Sequence, residues 1–143
     1  MSEFTWIKYN KSQDDILKSL KNKNIYQVFD LALENSCVWL ANKLFDDGVK
    51  YTDDFLYNRM TNIIINFIGT DEMVEIFKLL HKNMECVRYV WYEDLVKTSL
   101  MWEQISIVRF LIGVNEEYRE SLSDEVKNKI RNKDKLIKVN WSY

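Results

Sequence analysis

One segment of the chain, residues 32–49, reads ALENSCVWLANKLFDDGV. Its apolar residues recur every three or four positions, as they do along one face of an α-helix. This spacing predicts a helix over residues 38–45, and Gly48 stands where a helix commonly ends in a left-handed residue. Two other segments repeat this order of a turn, a helix and a small or polar residue at the helix end. They are residues 69–84 (GTDEMVEIFKLLHKNM) and residues 102–115 (WEQISIVRFLIGVN).

The recurrence of this pattern and the composition together decide the fold class. Aligned on their adjacent large apolar residues, the three segments recur at intervals of about 33 residues. The 143 residues include no proline and only three glycines, too few for the positive-φ tight turns that join the strands of a sheet protein. We therefore predict an all-α fold of stacked short helix pairs with polar capping helices. A compact helical bundle is the alternative.

The length of the chain fits one domain. We predict a single helical domain over residues 1–143, with an N-terminal cap (1–24), three helix-pair repeats (25–115) and a C-terminal cap with a basic tail (116–143). Asp53 or Asp54 is predicted to cap the fourth helix, and Gly69 and Gly113 to end helices. The predicted helices include residues 13–21, Ile25–Glu34, 93–100, 104–112 and Asp124–Arg131, whereas the aromatic, β-branched residues 85–92 are predicted to be extended.

The first segment resembles an ankyrin repeat. Its Leu44-Phe45-Asp46-Asp47-Gly48 is similar to the Leu-Leu…Gly ending of that family, and Asn35-Ser36-Cys37 stands near the family's Gly-His turn. The Thr-Pro-Leu-His signature is absent, and only the first unit keeps the terminal glycine. The resemblance covers about residues 25–115 and implies a divergent ankyrin-like array that stacks at least three units.

This resemblance also implies a protein-binding module that uses its connector tips and its inner helix face. The tips are residues 49–53 and 85–92, and the second is rich in the Arg, Trp and Tyr side chains that are common at interface hot spots. The predicted partner-binding residues are Tyr51, Asp53, Arg88, Tyr89, Trp91 and Tyr92.

Side chains capable of catalysis or metal binding do not form a recognisable motif. His81, Cys37 and Cys86 lack the ligand number and spacing of a zinc site, and the isolated glycines offer no phosphate-binding loop. The paired acidic residues mostly stand at predicted helix ends, where capping and the helix dipole explain them. We predict that the chain is not an enzyme and has no cofactor and no metal.

The leading functional hypothesis is a non-enzymatic protein–protein interaction module. The frequent Asn, Lys and Ile residues are typical of AT-rich genomes, so a dedicated binder or inhibitor of a host or cellular protein, of viral or phage type, is a narrower expectation. The chain lacks a signal-peptide pattern and a membrane-spanning stretch, which predicts a cytoplasmic protein with no membrane partner. The oligomeric state stays open, a homodimer included.

Two alternatives remain beside this hypothesis. Trp102-Glu103-Gln104-Ile105, followed by an apolar helix, resembles the small groove-binding helical proteins of the viral Bcl-2-like kind, which need a long central helix. The basic C-terminal stretch, although the chain carries a net charge of −2, suggests nucleic-acid binding through cations and an aromatic ring. Its candidate residues are Lys127, Lys129, Arg131, Lys133, Lys135 and Trp141. We favour a solvated terminal cap for this stretch.

Overall fold

A computed structural model describes residues 12–67 and 70–133 and divides the chain into two compact units, residues 1–50 and 51–143. All regular secondary structure in these described residues is helical, so the all-α prediction is confirmed. The predicted single domain and its repeat boundaries stay predictions. The predicted helix end at Gly69 lies outside the described residues.

The first unit contains three helices, α1 (Gln13–Ser19), α2 (Ile25–Glu34) and α3 (Val38–Asp46). A capping box starts α2: the Asn24 side chain accepts a hydrogen bond from the Gln27 amide (2.9 Å), and the Gln27 side chain accepts one from the Asn24 amide (3.1 Å). Phe29 of α2 meets Phe45 of α3 edge-on, with ring centroids 6.1 Å apart. These two helices therefore pack through their apolar faces.

The second unit continues with two longer helix pairs and two short helices. They are α4 (Asp53–Asn66), α5 (Asp71–Asn83), α6 (Tyr89–Met101), α7 (Ile105–Val114), α8 (Glu116–Glu120) and α9 (Asp124–Arg131). Within each pair α4 packs on α5 and α6 on α7, and between pairs α4 packs on α6 and α5 on α7. The first helices of the two pairs thus pack on each other, and so do the second helices.

The helix pairs α2–α3 and α6–α7 are joined by the same kind of turn. Ser36 and Glu103 follow the C-caps of α2 and α6 with positive φ angles of 49° and 55°. In each turn this residue donates its amide proton to a carbonyl three residues earlier, and the next residue donates to one five residues earlier. This is the Schellman arrangement, which satisfies carbonyls that the helix end leaves without partners.

Gly48 ends α3 with the same motif, as the sequence predicted. Its φ is 85°, its amide donates to the Phe45 carbonyl, and the Val49 amide donates to the Leu44 carbonyl, both at 3.0 Å. A β-carbon added to Gly48 would meet no other atom within 4 Å. The backbone conformation alone therefore favours glycine there.

Several predicted boundaries differ from the structure. Residues 85–92 are not extended throughout, because α6 begins at Tyr89 and Tyr92 belongs to its buried face, with Leu95, Val96 and Leu100. Burial on a helix face outweighs the strand preference of aromatic residues. Gly113 does not end α7, which continues to Val114, and the short helix α8 was not predicted. The α4 cap is Thr52, whose hydroxyl accepts a hydrogen bond from the Phe55 amide.

We expect stability changes of opposite sign when the positive-φ residues Gly48 and Glu103 are each substituted. Gly48→Ala places a β-carbon on a positive-φ residue and should lower the free energy of unfolding by about 1 kcal/mol. Glu103→Gly removes such a β-carbon and should raise it by up to about 1 kcal/mol. Urea unfolding followed by helical circular dichroism measures both. Equal signs for the two substitutions would contradict this account of the turns.

Candidate functional site

The six predicted partner-binding residues all belong to the second unit. Two stand at the start of α4, and four stand at the start of α6. The two starts are linked directly, because the Asp53 carboxylate accepts hydrogen bonds from the backbone amides of Glu85 (2.9 Å) and Cys86 (3.1 Å). Asp53 therefore holds the connector before α6 in place, and its carboxylate oxygens are engaged within the unit.

Tyr51 and Tyr92 are buried in the described structure, although both are among the predicted partner-binding residues. Tyr51 stacks on Phe55 with centroids 4.8 Å apart, and 9% of its surface is exposed. Tyr92 is 0% exposed, since α6 turns it inward, and burial raises the pKa of its hydroxyl above the usual range. Large aromatic side chains contribute most to a core when their rings are covered, which explains both positions.

Tyr89 serves mainly to attach α6 to the C-terminal helices. Its hydroxyl lies 2.9 Å from a Glu93 carboxylate oxygen and 2.7 Å from the Ser121 carbonyl oxygen. Its ring meets Tyr118 of α8 edge-on at 5.4 Å. Burial, followed by the hydrogen bond and charge of Glu93, raises the pKa of Tyr89 to about 12.

Arg88 and Trp91 form a stack with Tyr57, which lies on the neighbouring helix α4. The Arg88 guanidinium lies 4.7 Å from the centroid of the Trp91 ring, and that ring is parallel to the Tyr57 ring within 12° at a centroid separation of 5.0 Å. The Tyr57 hydroxyl donates a 2.8 Å hydrogen bond to Asp94 of α6. We call these four residues the aromatic ladder.

The aromatic ladder remains accessible to solvent. Arg88 and Asp94 are exposed, and Tyr57 and Trp91 are partly exposed. Val90, beside the ladder at the start of α6, is 72% exposed. A cation, two stacked rings and a carboxylate are thus held in one arrangement on the surface, where stacking and cation–π contacts restrict their rotamers.

Sequence reasoning found Arg88 and Trp91 but missed Tyr57 and Asp94. Tyr57 lies over thirty residues earlier in the chain and has an ordinary place in the α4 pattern. Asp94 resembles any other surface acid on α6. The α4–α6 packing alone brings them together, and no local signal in the sequence indicates that packing.

The basic C-terminal residues that the structure describes have different partners. Lys127 Nζ donates to the Glu120 carbonyl oxygen at 2.6 Å, and an Arg131 guanidinium nitrogen donates to the Asn128 side chain at 3.3 Å. Lys129 and Lys133 instead line a groove with residues of α6. Lys135 and Trp141 lie outside the described residues.

The described side chains that could act in catalysis or bind a metal ion lie apart from one another. Cys37 is buried, which raises the pKa of its thiol. Across residues 12–67 and 70–133, no three His, Cys, Asp or Glu side chains come close enough together to hold a metal ion. None of the helices in this part of the chain combines the length and hydrophobicity needed to cross a bilayer.

Comparison with known protein families, with curated proteins and with solved structures finds no match to this chain. Its function must therefore be inferred from the aromatic ladder and the grooves of the second unit.

We expect Tyr57 to titrate far above an ordinary tyrosine. Burial, followed by the hydrogen bond and charge of Asp94, raises the pKa of Tyr57 to about 12. The neutral phenol is thus favoured by folding, and this contribution to stability is complete below pH 10 and lost as the pH rises to about 12. Asp94→Asn should lower the Tyr57 pKa toward its usual value, as measured by NMR of ¹³Cζ-labelled tyrosine. An unchanged Tyr57 pKa in this variant would contradict the hydrogen bond, and Tyr89 serves as the internal control.

The single histidine of the chain gives a second pH prediction. His81 packs edge-on against Phe110 with centroids 5.2 Å apart, and burial lowers its pKa from 6.5. Because the neutral ring is favoured in the folded state, the contribution is present above pH 6.5 and is lost as the pH falls through the lowered pKa. His81→Gln should flatten the acid-side fall in the free energy of unfolding. A proton titration of His81 by NMR with a midpoint at or above 6.5 would contradict this.

Proposed function

We propose that this chain is a non-enzymatic protein-interaction module whose binding surface is the aromatic ladder on α4 and α6. The observation that carries the proposal is the stack itself. It presents arginine, tryptophan and tyrosine, the three residue types most enriched at interface hot spots, already ordered at the surface. Preordered side chains lose less conformational entropy when a partner binds.

The arrangement of helices supports this proposal. The ladder spans α4 and α6, the first helices of two pairs that stack as neighbouring solenoid units do. A partner that covers the ladder therefore contacts two helices at once. In the ankyrin-like interpretation, which remains part of the proposal, this surface corresponds to the inner helix face expected to bind proteins.

The ladder also matches a particular chemistry in the partner. Arg88 offers a cation at one end and Asp94 a carboxylate at the other, with apolar rings between them. The partner surface it fits carries an apolar or aromatic side chain flanked by charges of both signs. Complementary charge of this kind fixes orientation more than it adds affinity.

Affinity capture with matched variants tests the proposal. The variant Arg88→Ala, Trp91→Ala removes the exposed end of the ladder. The control Trp102→Ala, Arg109→Ala removes the same two residue types from exposed positions on α6–α7. Each tagged protein is incubated with lysate of its natural setting, with and without nuclease, and bound proteins are quantified by mass spectrometry.

We expect one stoichiometric protein to bind both the parent and the control. Its affinity for the ladder variant should be at least about 30-fold lower, since even one hot-spot truncation costs about 2 kcal/mol or more. Helical circular dichroism of both variants should match the parent. Equal loss in both variants, or recovery only of nuclease-sensitive nucleic acid, would overturn the proposal.

A further inference from the structure

A second surface feature of the second unit is a groove between the C-terminal half of α6 and helix α9. It encloses about 410 Å³ and is lined by Lys97, Leu100, Met101, Glu125, Val126, Lys129 and Lys133. We call it the lysine groove. Its size lies within the range of clefts that hold a side chain or small ligand.

The floor of the lysine groove is apolar. Leu100 and Val126 are almost completely buried beneath it, whereas Met101 is 76% exposed. A methionine on a surface offers a flexible, polarisable contact that adapts to differently shaped apolar groups. The floor is therefore suited to cover one large apolar side chain of a partner.

The rim of the lysine groove is positively charged. Three lysines and one glutamate line it; with Glu93, which pairs with Lys97, these side chains carry a net charge of +1, whereas the whole chain has a net charge of −2. Lys97 lies 3.1 Å from Glu93 and Lys129 lies 3.4 Å from Glu125, and all four side chains are at least partly exposed. Exposed ion pairs contribute only about 0–1 kcal/mol, so an incoming carboxylate replaces them at little cost.

We propose that the lysine groove binds an acidic protein segment that carries one large apolar side chain. The apolar side chain covers Met101, and the carboxylates of the segment meet lysines contributed by both α6 and α9. This inference rests on the proposed function, because it takes the bound partner to be a protein. It goes further in naming a second binding surface and the kind of segment that this surface fits. No aromatic ring is among the described residues that line the groove, so this lining lacks the stacking platform that single-stranded nucleic acids use.

Two designed peptides test this proposal whatever the identity of the natural partner. They share one helical pattern of leucines, and one has glutamate and the other lysine at the remaining positions. Each is labelled with fluorescein and titrated with the full chain by fluorescence anisotropy. The groove variants are the double substitution Lys97→Glu, Lys129→Glu and the single substitution Met101→Ser. The control Lys43→Glu, Lys78→Glu changes net charge equally at two other ion-paired lysines, whose side chains are each 44% exposed.

We expect the glutamate peptide to bind the parent at least about tenfold more tightly than the lysine peptide. The double groove variant should weaken it by at least about tenfold, Met101→Ser by a few-fold, and the control by less than about twofold. Added salt should weaken binding to the parent more than to the double groove variant.

The following results would overturn the proposal. They are absence of a preference for the glutamate peptide, equal loss in the groove variant and its charge-matched control, and tighter lysine-dependent binding of phosphatidylserine vesicles or oligothymidylate. The Arg88→Ala, Trp91→Ala variant should bind the glutamate peptide as tightly as the parent does. If this variant loses peptide binding and the groove variant keeps it, the peptide binds the aromatic ladder, and the proposal is also overturned. Because the titration uses no captured partner, its failure is distinct from failure of the proposed function.

Discussion

Burial of one broad face of α6 is the constraint on which the second unit depends. This helix packs against α4, α7, α8 and α9, and its covered side chains are Tyr92, Leu95, Val96, Ser99 and Leu100. Each fully buried large apolar side chain contributes about 1.5–3 kcal/mol. The Ser99 hydroxyl, buried among them, donates to the Leu95 carbonyl oxygen at 2.7 Å, so this polar group does not oppose the burial of its neighbours.

The same burial explains where the two proposed binding surfaces lie. Since neighbouring helices cover most of α6, only a narrow strip of it reaches solvent, and that strip includes Val90, Asp94, Lys97 and Met101. The aromatic ladder forms where α4 flanks the first part of the strip. The lysine groove forms where α9 flanks the last part. Both surfaces therefore follow from which helix packs beside each end of α6.

Tight turns supply the other requirement of this helical packing. Where the chain reverses direction within two or three residues of a helix end, the last carbonyl groups of the helix need hydrogen-bond donors. The Schellman geometry supplies them when one residue adopts a positive φ. Gly48 meets this condition easily, whereas Ser36 and Glu103 accept it despite their side chains. The turns of α2–α3 and α6–α7 therefore share one backbone geometry, although neither contains a glycine.

The candidate site could be predicted only in part. Arg88 and Trp91 were identified because their residue types are common at interfaces, and both do reach solvent. Tyr51 and Tyr92 share this aromatic character but are buried. Tyr57, Asp94 and Lys97 were missed, because each acquires its role from a side chain on another helix or from a groove between helices.

The amino-acid sequence by itself determined most of the helices and the left-handed position of Gly48, which are local properties. A helix depends on contacts between residues three and four apart, and its ends depend on the residues immediately before and after it. Tertiary structure alone decided which aromatic side chains are covered and which lysines converge. Those outcomes depend on which helix packs alongside. Because that helix is distant in the chain, the local sequence pattern does not indicate the contact.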